Sequence, residues 1–240
     1  MIPIDDFVQI GKALTKIENN QFSLISQGKT TTHHNKAITH VIGITGGPGV
    51  GKSTFINQFV KVALSNNLTV AVIAIDPTSG IHGGTFLGDR IRLDPDYPSR
   101  GVFIRSLSSN HSIGGIPKTV EFMTSFLSSI GFNLILIETV GIGQLESEIK
   151  KYVQKVVVIP NGKEDDWIQV FKNESYLISD LFYLNEFEMN SCEKIAESIR
   201  SYIEIKHKQN TFKPECIVGN AKNGQGVNEA FNKLIGAHRK

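Results

Sequence analysis

GITGGPGVGKSTFINQFV, Gly43 to Val60, is the stretch whose reading decides the fold. Its segment from Gly46 to Thr54 holds four glycines and one proline, with too little side chain to pack a core. Gly46, Gly51, Lys52 and Ser53 satisfy the pattern GxxxxGK[ST]. The preceding THVIGIT is a short apolar, β-branched run, and the following KSTFINQFVKVALSN has helical periodicity. Strand, glycine loop and helix in that order are the context that gives the pattern its meaning. An ordinary glycine turn between strand and helix is the alternative, and pattern plus context outweigh it. Backbone amides of Gly47, Gly49, Val50 and Gly51 are expected to turn inward around a phosphate, which needs glycine dihedrals and close approach. The helix starting near Lys52 adds its positive end to the anion. Lys52 is expected to reach the β- and γ-phosphates, Ser53 to bind Mg²⁺, and Thr54 to reach the α-phosphate. The loop is shaped to hold a nucleoside triphosphate.

Outward from the loop, TVAVIAID, GVFIRS, FNLILIET and KVVVIP are brief, near-continuous apolar runs. YLISDLFYLN and PECIVGNA supply two more, flanking a helix expected near residues 191–205. Strands apolar on both faces that alternate with helices predict an α/β protein: a mostly parallel sheet with helices on both faces. Towards the N-terminus, Phe7, Val8, Ile10, Leu14 and Ile17 recur at helical spacing and predict a short helical appendage over 5–18. The polar stretch SQGKTTTHHNKA then reads as a linker. The expected division is 1–36, helix and linker, and 37–240, the P-loop domain. His33 and His34 stand together in the linker; two adjacent histidines without further ligands read as solvated residues rather than a metal site.

Two acids fall at predicted strand ends. Glu138 closes LILIE and is followed by Gly141 in TVGIG; Asp76 closes TVAVIAID, with Asp89 in the glycine-rich loop beyond. In open α/β sheets ligands bind off the carboxyl ends of the strands. An acid there can hold Mg²⁺ or position water, and a glycine amide such as that of Gly141 can meet a γ-phosphate. The plainer readings are a helix N-terminal acid for Glu138 and a turn-former before Pro77 for Asp76. Convergence of three acids on one phosphate site favours metal-assisted phosphate chemistry. Lys52, Asp76 and Glu138 are the expected catalytic set; Ser53, Asp76, Asp89 and Glu138 are the expected metal ligands.

Composition limits the alternatives. A formal charge of +2 over 240 residues gives no broad basic field, which argues against a nucleic-acid partner. Cys192 and Cys216 stand far apart, which suits a reducing compartment rather than a disulfide framework. No apolar run approaches the roughly 20 residues of a membrane span, and the N-terminus lacks a basic start. The expectation is a cytoplasmic, soluble domain without a membrane partner.

GITGGPGVGKST, AIDPTSGIHGGTFLGDRIRL, FIRSLSSNHSIGGIPKTVEFM and LIETVGIGQLE resemble, in order and approximate spacing, the motifs of the MeaB/ArgK-type GTPases. These are the methylmalonyl-CoA mutase-associated G proteins of the SIMIBI class. The resemblance runs from about Lys12 to about Pro160, and KALTKIENN is similar to the family's N-terminal helix. It implies a G domain that binds GTP and GDP with Mg²⁺, hydrolyses GTP, and serves a cobalamin-dependent mutase by coupling nucleotide state to cofactor loading and protection. It implies that GGTFLGDR, with Arg90, is a first switch and that ETVGIGQ, with Gln144, is a second. It also marks Lys172 as a further switch position near the partner.

The guanine-reading NKxD of the family corresponds to Asn185, Glu186, Phe187 and Glu188. Asn185 fits, and the Glu188 carboxylate can accept from the guanine edge. Glu186 stands where the family has a lysine whose aliphatic stem packs over the base. IPNGKEDDW is more charged than its family counterpart. GNAKNGQGVNEAFNKL resembles the last GTPase loop, which places the Ala221 amide and Lys222 near the base; a plain loop before a C-terminal helix is the other reading. Family members continue into a helical extension that builds their dimer, whereas this sequence stops soon after its last predicted helix, so a homodimer is left open. A metal-insertion GTPase of the hydrogenase or urease maturation type, a nucleotide-binding module with little hydrolysis, and a small-molecule kinase remain alternatives. No arginine is set over the γ-phosphate, although Arg90 and Arg105 fall in or near the first switch.

Overall fold

The computed structural model describes residues 4–19, 38–76, 94, 96–108, 116–139, 148–160, 178–185, 197–198, 201 and 214–236. Its strands are β1 (His40–Thr45), β2 (Val70–Asp76), β3 (Val102–Ser108), β4 (Leu134–Thr139), β5 (Lys155–Val158), β6 (Leu181–Asn185) and β7 (Glu215–Gly219). They form one seven-stranded sheet in the order β3-β2-β4-β1-β5-β6-β7. Every pairing among these strands is parallel, so the expected mostly parallel sheet is wholly parallel here. The helices are α1 (Ile4–Glu18), α2 (Lys52–Ser65), α3 (Thr119–Ser129) and α4 (Val227–Ile235).

Strand alternation divides the core in two. Along β4, Ile135 and Ile137 join a cluster with Ile73 of β2, Phe103 of β3, Val120, Met123 and Leu127 of α3, and Ile10, Leu14 and Ile17 of α1. Leu134 and Leu136 face the other way, into a cluster with Ile42, Ile44, Phe55, Phe59, Tyr183 and Phe231 that α2 and α4 cover. Helices therefore lie on both faces. The Phe59 and Phe231 rings, 5.3 Å apart, tie α2 to α4. Burying side chains of this size contributes about 1.5–3 kcal/mol each.

The N-terminal helix is not a loose attachment. Its buried residues Ile10, Leu14 and Ile17 follow the i, i+4, i+7 spacing of one helical stripe. Phe7 meets Phe103 edge-on, with ring centroids 5.5 Å apart. Arg105 of β3 donates through Nη2 to Glu18 Oε2 (2.6 Å) and Thr15 Oγ1 (3.1 Å). The expected division at residue 36, the linker histidines and the helix expected at 191–205 lie wholly or largely outside the described residues.

The order of strands places the site. β1 sits between β4 and β5, and the chain crosses from β1 over β4 to reach β2 before later returning to add β5 on the other side. The carboxyl ends of β1 and β4 thus lie side by side at a reversal of strand order, where ligands of open α/β sheets bind. Ile44 pairs with Glu138 in that register.

Candidate nucleotide site

Between β1 and α2 the backbone does what the glycines allow. Gly46, Gly49 and Gly51 have φ of 144°, 74° and 95°, in the region that side chains avoid. Space is short as well: a Cβ on Gly46 would meet the Ile159 carbonyl, and one on Gly51 would meet Asn185 Nδ2. Gly51 is the N-cap of α2 and brings no capping side chain, so no side chain at the cap competes for the first-turn donors. The result is a loop of backbone groups leading into an uncapped helix start.

Lys52, only 7% exposed, donates through Nζ to the carbonyls of Gly46 (3.0 Å) and Gly47 (2.8 Å). Its ammonium is folded into its own loop, where a phosphate oxygen would exchange with a carbonyl at short range. Ser53 Oγ donates to Glu138 Oε1 at 2.9 Å. Glu138 is likewise 7% exposed. Two residues 85 apart in sequence thus form a hydroxyl–carboxylate pair at the mouth of the loop. Both are hard oxygen donors of the kind Mg²⁺ takes. Thr54, half-buried, follows on the first turn of α2. Asp76 is the last residue of β2, one position beyond the Ile75–Thr139 pairing with β4.

A second set of contacts links this loop to the far end of the sheet. Asn185, at the end of β6, donates through Nδ2 to the Val50 carbonyl at 2.9 Å. Its Oδ1 accepts from the Ala221 amide, also at 2.9 Å. Asn185 is therefore a joint between the phosphate loop and the loop after β7, and the Ala221 amide expected near a base is engaged by that joint. The Lys222 amide donates to Asn220 Oδ1 at 2.9 Å. Residues 220–225 close on themselves through the Asn220–Gln225 bridge.

Gly47, Gly49, Val50, Gly51, Lys52, Ser53, Glu138, Asn185, Ala221 and Lys222 thus all fall on connected elements at the carboxyl ends of the strands. Asp89, Arg90, Gly141, Gln144, Lys172 and Glu188 lie outside the described residues. Arg105, expected near a switch, has its guanidinium on α1 instead. Among the described residues no group of three His, Cys, Asp or Glu could hold a metal ion.

Sequence reasoning missed three side chains. Thr139 Oγ1 donates to Thr45 Oγ1 at 3.0 Å, both fully buried, joining the residue before the phosphate loop to the residue after Glu138. Tyr183, two residues before Asn185, donates to the Gln225 carbonyl at 2.6 Å. Burial raises its hydroxyl pKa well above the usual tyrosine value, so it is a donor at neutral pH. The signal for all three was a hydroxyl within an apolar strand, close to its carboxyl end.

The sequence matches the family model described as methylmalonyl-CoA mutase-associated GTPase MeaB over residues 10–240. The chain belongs to the MeaB family of GTPases. Relatives agree with it. A protein of Pyrococcus horikoshii named as a GTPase is 33% identical over 98% of this chain and 77% of its own length. The GTPase ArgK of Escherichia coli is 29% identical over 81% of this chain, which spans 60% of ArgK. The mouse mitochondrial methylmalonic aciduria type A homolog is 28% identical, and this MeaB-family chain spans 49% of it. Among solved structures, one described as LAO/AO transport system kinase has a TM-score of 0.66 at 21% identity, covering 97% of this chain and 72% of that one. Helicobacter pylori HypB, solved in complex with nickel, has a TM-score of 0.58 at 13% identity, covering 95% and 94%. At those identities the structures show the fold alone. They agree on a P-loop NTPase fold. Among the described residues no helix is long and apolar enough to cross a membrane.

Proposed function

We propose that this chain binds GTP and GDP with Mg²⁺, hydrolyses GTP slowly on its own, and couples nucleotide state to cofactor loading or protection of a cobalamin-dependent enzyme in the cytoplasm. The observation that carries the reading is the pairing of Ser53 with Glu138 beside a lysine folded into a glycine loop. A part-buried hydroxyl paired with a buried carboxylate, next to a buried lysine at the start of a helix, fits phosphate with a divalent cation better than any structural role.

The residues divide the work. Lys52 exchanges its carbonyl partners for β- and γ-phosphate oxygens. Amides of Gly47, Gly49, Val50 and Gly51 and the start of α2 hold the β-phosphate. Ser53, Glu138, Asp76 and Asp89 provide oxygen donors for Mg²⁺, which when bound neutralises charge on the β- and γ-phosphates. Glu138 is assigned to orient the attacking water, and the Gly141 amide to meet the γ-phosphate. Asn185, Glu188, Ala221 and Lys222 form the base side, with Asn185 acting through the loops it joins. Guanine is the favoured base, through the Glu188 carboxylate. Arg90, Gln144 and Lys172 belong to segments that respond to the γ-phosphate and meet the client.

The family description supports a methylmalonyl-CoA mutase, or a related enzyme, as that client. Arg105, which falls near the first switch in sequence, is committed to Glu18. A partner that supplies or orders an arginine for the transition state can be worth about 10³–10⁵ in rate. Single-turnover GTP hydrolysis with and without methylmalonyl-CoA mutase tests this. The expected result is slow hydrolysis alone and a large acceleration with the mutase. Fast hydrolysis that the mutase leaves unchanged would contradict it.

A further inference from the structure

β6 presents Tyr183 and Asn185 on the same face, two residues apart. Their polar ends reach opposite ends of one loop. Asn185 accepts from the Ala221 amide near its start, and Tyr183 donates to the Gln225 carbonyl at its close. That carbonyl also accepts from the Asn220 amide (3.2 Å), and the Gln225 amide returns a bond to the Asn220 carbonyl (3.1 Å). The Tyr183 hydroxyl thus ties the neck where the loop closes to β6, while Asn223 Oδ1 accepts from the Gln225 amide (3.0 Å) within the loop itself.

The tyrosine is held in place for this. Its side chain is fully buried, and its ring lies against Phe55 of α2 with centroids 4.5 Å apart. Gly219, the last residue of β7, leaves the room: a Cβ there would meet the Gln225 carbonyl and the Tyr183 hydroxyl and ring. A large residue on β6 and the smallest on β7 are therefore fitted to each other at the base of the loop. Phe55 lies on the first turn of α2, whose start belongs to the phosphate loop. One side chain touches both halves of the site.

We propose that Tyr183 is a positioning residue for nucleotide recognition, fixing the 220–225 loop at the height at which it meets the nucleoside. This rests on the nucleotide reading above. It predicts that the hydroxyl matters for the nucleoside and not for the phosphates. Tyr183→Phe keeps the ring against Phe55 and leaves the Gln225 carbonyl its Asn220 partner, so the fold should survive.

The test is calorimetric titration of the full chain, wild type and Tyr183→Phe, with GDP and separately with pyrophosphate, both with Mg²⁺. The expected result is a GDP affinity lowered about 3- to 10-fold, the worth of one neutral hydrogen bond, with pyrophosphate affinity unchanged. Amide hydrogen exchange at Asn220 and Gln225 should also quicken in the variant. Equal losses for both ligands, or none for GDP, would overturn the positioning role while leaving the nucleotide site intact. A wild type that binds pyrophosphate but gains nothing from the nucleoside would also overturn it. A wild type that binds neither ligand would overturn the nucleotide reading and this inference together.

Discussion

Glu138 is a carboxylate buried at the end of a fully buried strand, and its Oε1 accepts from Ser53 at 2.9 Å. A charge in that position costs several kcal/mol in desolvation unless strong partners repay it. A divalent cation shared with the Ser53 hydroxyl would be such a partner. Glu138→Gln keeps the shape and an acceptor for Ser53 but removes the charge. Nucleotide binding without Mg²⁺ should stay within a few-fold of wild type, because Lys52 and the loop amides are untouched. Single-turnover hydrolysis should fall about 10²–10⁴-fold, the usual worth of a positioned acid or base. Hydrolysis at the wild-type rate in this variant would remove Glu138 from the chemistry. The contrast with Asn185 is instructive. Its side chain is used by Val50 and Ala221, so its sequence position near the base loop reflects a joint between loops.

At the scale of elements, α1 is fastened by a stripe and a clamp. Ile10, Leu14 and Ile17 are buried in the same cluster as β3, β4 and α3, while Glu18 takes the Arg105 guanidinium. Leu14 has no exposed surface. Leu14→Ala should therefore lower unfolding stability by about 2–5 kcal/mol, the range for a buried leucine that leaves a cavity. Urea denaturation followed by circular dichroism measures it, with the slope unchanged if α1 unfolds with the rest. A loss under about 1 kcal/mol would mean that α1 contributes little to the domain. The coupling bears on the site, because Arg105 lies on the strand that leads into residues 109–115, part of a family motif. α2 packs along its length through Phe55, Ile56, Phe59, Val60 and Ala63, and its N-cap, Gly51, brings no side chain to the first-turn amides.

At the scale of the whole molecule, the sheet was legible and its cross-connections were not. β1, β2, β4 and β5 announce themselves because strands buried on both faces need uninterrupted apolar residues, as in LILIE and KVVV. The phosphate loop was legible because glycine is the residue that its dihedrals and its tight spaces admit. α3 was less legible, because Val120, Met123 and Leu127 carry a helical spacing that is weak over eleven residues. The Asn185–Val50 bond spans 135 positions and the Thr139–Thr45 bond 94. Such pairs are set by strand order, which no local pattern encodes. The loop after β7 was legible as a turn before a helix, whereas the bond from the Ala221 amide to Asn185, 36 positions away, was not.

The central claim is that the glycine loop, Lys52 and the Ser53–Glu138 pair hold a guanine nucleotide with Mg²⁺. Calorimetric titration of GTP into the full chain, with Mg²⁺ and then with EDTA, tests it most directly, alongside Lys52→Ala and competition by ATP. Loss of an ammonium bonded to phosphate removes about 1.5–3 kcal/mol per charged hydrogen bond, so Lys52→Ala should weaken GTP by about 100-fold or more. The account predicts tight, Mg²⁺-dependent binding to wild type, displacement by GDP more readily than by ATP, and no measurable binding to Lys52→Ala at the same concentrations. Unchanged GTP affinity in Lys52→Ala, or binding indifferent to Mg²⁺, would contradict it.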